Sequence, residues 1–203
     1  MVIKDGMNVF ERAIKRLFDV FCSFFGLLVL SPVFLIVYIR LRIQNDGSVI
    51  FRQERIGYKG KAFNIFKFRT MRADSESSGK PQLAAKGDER LTKVGRFLRE
   101  HHLDELPQLW NVFVGDMSFV GPRPERQYFI EQIRKENPDY DYILLMRPGV
   151  TSMATIHNGY TDTMEKMLVR LQMDLEYFRK RSLWQDLKII FTTCFYIING
   201  KKF

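Results

Sequence analysis

Between Leu17 and Ile39 the chain reads LFDVFCSFFGLLVLSPVFLIVYI, and Asp19 is the only charge in it. A run of that length meets the roughly 20-residue requirement of a membrane span. Ser31-Pro32 interrupts it. Proline removes one helical hydrogen bond and crowds the carbonyl of Leu28, so a bend is predicted there. The Ser31 hydroxyl is placed to satisfy the freed carbonyl, which makes the bend tolerable in lipid. Lys4, Arg12, Lys15 and Arg16 precede the run; Arg40, Arg42, Arg52 and Arg55 follow it. Basic flanks mark the cytoplasmic side, and equal flanks place both ends there. The limb from Leu17 to Leu30 would be about 21 Å long, short of the roughly 30 Å hydrocarbon core. A re-entrant hairpin, entering one leaflet and returning, satisfies both observations. A kinked single span and a buried core helix are the alternatives. The run is followed by basic residues and by no small-residue cleavage site, unlike a cleaved signal peptide.

Beyond it the pattern changes. Val49–Arg52 and Ala62–Phe68 are short apolar-aromatic runs around Tyr58-Lys59-Gly60, which predicts a β-hairpin. Residues 72–90 are polar and read as a long surface loop. Leu91 to Arg99 has helical spacing, and Leu106-Pro-Gln-Leu-Trp-Asn continues in that style, with Pro107 tolerable only near a helix start. Phe119-Val-Gly-Pro-Arg-Pro predicts a proline-clamped turn. Glu125–Glu136 and Met164–Arg179 have amphipathic helical spacing. In the second, Met164, Met167, Leu168, Leu171, Leu175 and Phe178 share a face that reads as core packing. From Leu183 to the end, aromatic residues and Lys201-Lys202 suit a helix in the headgroup region or one packed on the body. The predicted class is α+β and mainly helical: a re-entrant membrane anchor over residues 1–45 and a cytoplasmic, membrane-surface catalytic body over 46–203.

Composition adds charge to this picture. The 203 residues carry a net charge of +9. That favours an anionic partner, whether nucleic acid, anionic lipid or a phosphorylated substrate. Cys22 and Cys194 have no metal-like spacing and suit a reducing, cytosol-facing location. No Gly-x-x-x-x-Gly-Lys-Ser/Thr loop is present, which disfavours a P-loop enzyme.

Candidate chemistry concentrates at His101-His-Leu-Asp-Glu-Leu-Pro-Gln-Leu-Trp-Asn. Asp104 and Glu105 stand beside the break at Pro107. At a helix start both can reach one divalent cation, and magnesium takes one or two carboxylates with water and substrate phosphate. An aspartate also serves as a nucleophile on phosphorus. An ordinary role is a favourable charge at a helix N-terminus. Strand alternation puts Lys67 and Arg69 on one face. Arg99 lies shortly before Asp104, and Arg123 is held between prolines. Such residues suit phosphate oxygens, although each alone also suits a solvated surface. Asp139-Tyr-Asp141 fits a short metal-binding pattern that is common by chance. His101, His102 and His157 lack zinc spacing.

These residues resemble the bacterial sugar transferases known as monotopic phosphoglycosyl transferases. The likeness runs from Lys15-Arg16-Leu17-Phe18-Asp19 through Ser31-Pro32 and Phe51-Arg-Gln-Glu-Arg-Ile-Gly57. It continues in Phe66-Lys-Phe-Arg-Thr-Met71, Leu103-Asp-Glu-Leu-Pro-Gln-Leu109, Gly115-Asp-Met-Ser118, Gly121-Pro-Arg-Pro124 and Arg147-Pro-Gly-Val-Thr151. The resemblance implies transfer of a sugar-1-phosphate from a UDP-sugar to polyprenyl phosphate at the cytoplasmic face of a bacterial inner membrane, an early step of glycan assembly. It implies Asp104 as nucleophile and Glu105 as its partner, linked to Mg2+ and acid-base work. Lys67, Arg99 and Arg123 match basic positions around the phosphates, and Arg69, on the face of Lys67, is expected to bind substrate with them. Smaller members carry Gly-Trp after Pro-Gly-x-Thr and an Asn-Gly-Arg further on; here Ser152-Met153 and Asn158-Gly159-Tyr160 stand instead. Two other classes compete. A non-catalytic adaptor binding anionic lipid has no need of a proline-flanked Asp-Glu pair. A nucleic-acid binder, suggested by charge alone, ignores Leu17–Ile39, so no nucleic-acid partner is expected.

Overall fold

The computed structural model describes residues 3–44, 47–72, 88–159 and 163–199. The polar segment 73–87, Tyr160 and Lys201-Lys202 lie outside them. Helix α1 spans Val9–Val29 and α2 spans Ser31–Gln44. Asn8 starts α1 with a reciprocal capping box: its side chain accepts from Glu11 N–H, and Glu11 accepts from Asn8 N–H. The two helices meet at 59°. Ser31 Oγ donates to Leu28 O at 2.8 Å, the hydroxyl-to-carbonyl contact that the proline break calls for. Among the described residues no single helix is long and apolar enough to cross a membrane; α1 and α2 pass that test only as a bent pair.

α1 is amphipathic in an inverted sense. It turns the polar side chains Lys15, Arg16, Asp19 and Ser23 to the body, flanked by Phe18 against Phe119 and Phe24 against Phe113. Asp19 and Ser23 are buried, whereas Phe10, Leu17, Phe21 and Leu28 are exposed. Asp19 accepts from Phe119 N–H at 3.1 Å. Lys15 donates to Val120 O and pairs with Asp186. Arg16 donates to Val112 O and Phe113 O at 2.6 and 2.8 Å. Those are terminal carbonyls of α4, Gln108–Val114, so a cation caps a helix C-terminus. Lys15 and Arg16 are therefore docking contacts, not simple flanking charges. Arg12 is likewise paired, with Asp5. The charge argument for topology loses three of its N-terminal members to these contacts.

Strands β1, Ile50–Ile56, and β2, Ala62–Phe68, pair antiparallel around a 3-10 turn at Tyr58–Gly60. β2 has the bounds of its apolar run, whereas β1 extends four residues beyond Arg52. Helix α3, Lys93–Glu100, is capped by Thr92. It leans on Thr70 so closely that a Cβ on Gly95 would stand 1.9 Å from Thr70 O, so glycine is required there. A parallel pair, β3 at Ser118–Val120 and β4 at Gly149–Thr151, was not legible in the sequence. Gly121 and Gly149 meet backbone to backbone beside it; a Cβ on Gly149 would lie 2.1 Å from Gly121 N. That contact brings the two proline-containing turns together.

The main core lies under α5, Gln127–Glu136, α6, Tyr140–Ile143, α7, Met153–Asn158, and α8, Met164–Lys180. Met167, Leu171, Leu175 and Phe178 of α8 are buried in it with Ile130 and Ile133. The methionine-rich stripe is core packing, as its spacing predicts. Each such large side chain contributes about 1.5–3 kcal/mol by leaving water. Helix α9, Leu183–Ile198, buries Ile189 there. Its opposite side is exposed. Helix α5 starts two residues later than its amphipathic pattern suggests, which leaves Glu125 in the preceding loop and free to enter the interior.

Candidate active site

Asp104 and Glu105 lie in a 3-10 turn, Leu103–Glu105, between α3 and α4. His102 enters the turn with a left-handed φ of 55°, a conformation that non-glycine residues adopt rarely and at some cost. Pro107 follows at the position before α4. The acidic pair is thus held at a helix start, as the proline spacing predicts.

The turn borders a cleft of about 680 Å³. Lys67, near the end of β2, and Arg69, just beyond it, both border the cleft, as does Phe68 between them. Arg99 comes from α3 and Arg123 from the Gly121–Pro124 turn. All the sequence-predicted basic residues line this one cavity with Asp104 and Glu105. Among the described residues nine cationic side chains and three carboxylates border it, so its field favours an anion.

Each cation is held differently. Lys67 Nζ donates to Glu105 Oε1 at 2.5 Å. Arg99 Nε donates to Thr70 Oγ1 at 3.1 Å. Arg123 is exposed at the rim and acts on Glu105 through its charge. Arg69 is buried, and among the described residues neither of its terminal nitrogens has a hydrogen-bond partner. A buried guanidinium without partners is costly. A phosphate entering the cleft would supply the missing acceptors.

The two carboxylates differ in electrostatics. Burial pushes Asp104 up, and the charge of Glu105 adds to that, so its carboxyl lies above the usual aspartate range despite Lys67 and Arg99. Burial also acts to raise Glu105, but Lys67 and Arg123 outweigh it and hold that carboxyl down at about 2. No hydrogen bond from the described residues reaches the Asp104 carboxylate. Asp104 is the more basic and the uncommitted member of the pair. Asp104 and Glu105 are adjacent carboxylates on the cleft, and no group of three or more metal-ligating side chains occurs among the described residues. Two carboxylates completed by phosphate oxygens and water suit magnesium.

Several contributors escaped the sequence reading. Arg170 of α8 and Arg55 of β1 both pair with buried Glu125, two residues after Arg123. Thr70 positions Arg99. Arg170 stands among the apolar positions of α8 with Asp174 one turn on, and helix spacing alone does not say what either faces. Asp141 pairs with Arg134 on the surface, which accounts for the Asp139-Tyr-Asp141 pattern.

Residues 10–200 match the model of the bacterial sugar transferase family. The chain is similar to a UDP-glucose:undecaprenyl-phosphate glucose-1-phosphate transferase of Klebsiella pneumoniae, 44% identical over 93% of this chain and 41% of that protein. It is similar to a UDP-N-acetylgalactosamine-undecaprenyl-phosphate N-acetylgalactosaminephosphotransferase of Aeromonas hydrophila, 37% identical over 92% and 44%. It is also similar to the exopolysaccharide production protein PSS of Rhizobium leguminosarum bv. phaseoli, 39% identical over 90% and 94%. The chain spans less than half the length of the first two. With the match covering both the bent helix pair and the cleft, the chain belongs to the bacterial sugar transferase family.

Proposed function

We propose that this protein is a phosphoglycosyl transferase that moves a sugar-1-phosphate from a UDP-sugar to polyprenyl phosphate and releases UMP. The observation that carries this most directly is Asp104: a buried carboxylate without hydrogen bonds, raised toward basicity, in a cleft of cations that includes the unpartnered Arg69. The relatives' names, which specify undecaprenyl-phosphate sugar phosphotransfer, support the same reaction class.

In the proposed first step an Asp104 oxygen forms a bond to the sugar-bearing phosphorus. The bond from that phosphorus to the bridging oxygen breaks, and UMP leaves with the electron pair. In the second step a phosphate oxygen of the acceptor attacks the same phosphorus, and the Asp104 carboxylate is released unchanged. Asp104 and Glu105 would hold a magnesium ion, which when bound offsets pyrophosphate charge. Lys67 keeps Glu105 ionised. Arg69, Arg99 and Arg123 bind and orient phosphate oxygens. One phosphoanhydride replaces another, so no further energy source is required.

The inverted surface of α1 supports a lipid surround for the bent pair, because its apolar side chains face away from the body. We read residues 1–45 as a re-entrant anchor and 46–203 as the catalytic body at the cytoplasmic face of the bacterial inner membrane. The test is to incubate the protein with labelled UDP-sugar and analyse its peptides by mass spectrometry. A phosphosugar adduct on Asp104 is expected; an adduct on another residue would refute the assignment.

A further inference from the structure

The cleft has a second end with different chemistry. Where α9 packs on β3 and β4 it is bordered by Phe119, Val150, Ile190 and Ile197, whereas Lys67 and Glu105 pair where β2 meets the Leu103–Glu105 turn. Ile190 and Ile197 belong to α9, as do Thr193 and Cys194, which also border the cavity. Positions 190, 193, 194 and 197 form one stripe of a helix. The outer side of α9 carries Trp184, Phe191 and Phe195, which are 77%, 71% and 63% exposed. The helix is therefore a thin wall, apolar on both sides, between the cleft and the exterior. Ile197 both borders the cleft and is 39% exposed.

The polar groups at this end are already engaged. Thr151 Oγ1 and Thr193 Oγ1 share a hydrogen bond of 2.8 Å, and Thr193 also donates to Ile189 O. Thr155 Oγ1 pairs with Ser152 Oγ at 3.0 Å. A nucleobase placed here would find most hydroxyl donors already committed, so the acceptors on its polar edge would be poorly paired, which is unfavourable. A hydrocarbon makes no such demand. One cavity thus joins an anion-binding end to a dry end, the shape of an amphiphile with a phosphate head.

We propose that the inner stripe of α9 (Ile190, Thr193, Cys194, Ile197) is the subsite for the first isoprenoid units of the lipid phosphate acceptor. The identity of the head group rests on the transferase reading above; the amphiphilic division of the cavity does not. The subsite places the acceptor tail along α9, with its phosphate directed toward Asp104.

Cys194 provides a direct probe. It is a free, exposed thiol. Full-length protein in detergent is alkylated with a maleimide, and labelling at Cys194 is followed by peptide-resolved mass spectrometry, which separates it from Cys22. Undecaprenyl phosphate is expected to slow Cys194 alkylation about tenfold or more. UMP and uncharged polyprenol are expected to leave it nearly unchanged. Protection by UMP would place the nucleotide there and overturn the proposal. Equal slowing by polyprenol, or no slowing by any probe, would also overturn it. In turnover assays, Cys194→Trp, which fills the stripe, is expected to raise KM for undecaprenyl phosphate about tenfold with KM for the UDP-sugar unchanged; the reverse pattern refutes the subsite. Labelling requires no turnover, so wild-type protein that releases no UMP from any UDP-sugar would sink the transferase reading alone.

Discussion

Lys67 Nζ stands 2.5 Å from Oε1 of Glu105, so a residue at the end of a strand sets the charge of the residue beside Asp104. The consequence is electrostatic asymmetry. Glu105 remains an anion, and its negative charge, with burial, makes Asp104 more basic.

Replacing Lys67 by Met removes the stronger of the two cations that together outweigh burial at Glu105. The lowered Glu105 carboxyl contributes stability above its ordinary range, and that contribution is lost as pH falls toward about 2. Without Lys67 the pair retains a proton at higher pH. The acid limb of UMP release should shift to higher pH, and kcat should fall about 10²-fold. A pH profile of both proteins decides it; an unmoved limb would show that Lys67 does not control the pair.

Asp104→Asn should reduce UMP release by about 10⁴-fold or more without unfolding the protein. The sign follows from the raised carboxyl: ionised Asp104 opposes folding at neutral pH, and that opposition fades as pH falls through its raised value. The neutral amide removes it, so the variant's melting temperature should stay within about 2 °C of wild type or rise. Thermal melts alongside turnover assays provide the check, and retained turnover would eliminate Asp104 as nucleophile.

Arg69→Met should separate stability from activity. The guanidinium is buried with two unpartnered nitrogens, so an apolar replacement should leave the ligand-free protein equally stable or about 1–4 kcal/mol more stable. The same variant should lose most activity. Wild type should gain melting temperature with UDP-sugar, through preferential binding to the folded state, and the variant should gain less. A variant that melts earlier and binds normally would assign Arg69 a packing role.

Arg16→Ala should destabilise by about 2 kcal/mol, because it removes charged hydrogen bonds to two terminal carbonyls of α4. The loss should appear in urea denaturation and should reduce turnover, since α4 follows directly from the Asp104 turn. An unchanged midpoint would contradict the capping role.

Pro32→Ala restores a helical donor at the bend between α1 and α2. In cells, cysteines at Lys4 and Arg42 should both be shielded from impermeant thiol reagents outside the membrane. In the Pro32→Ala background the Arg42 site should become labelled as the helix straightens. External labelling of Lys4→Cys or Arg42→Cys with Pro32 intact would exclude a re-entrant anchor.

The residues themselves made much of this legible. The break at Ser31-Pro32, the hairpin around Tyr58-Lys59-Gly60 and the core face of α8 follow from local sterics and apolar period. Lys67 and Arg69 followed from strand alternation. The roles of Lys15, Arg16 and Glu125 did not. Lys15 and Arg16 read as flanking charge, because a basic residue beside an apolar run looks the same whether it meets lipid headgroups or helix carbonyls. Glu125 read as a helix residue until its pairing with Arg55 and Arg170 was visible.

What this sequence determined by itself was local: where a helix must bend, which turn carries adjacent carboxylates before Pro107, and which faces are apolar. Steric exclusion and short-range periodicity act within a few residues, so they are written in the order of residues. Tertiary structure alone decided that polar residues of α1 face inward, that the terminal nitrogens of Arg69 have no partner among the described residues, and that α9 borders the cleft. Those outcomes depend on contacts between distant segments, such as Asp19 with Phe119 and Arg16 with Val112. Burial and pairing across such distances set the charge of each group, and no local pattern specifies them.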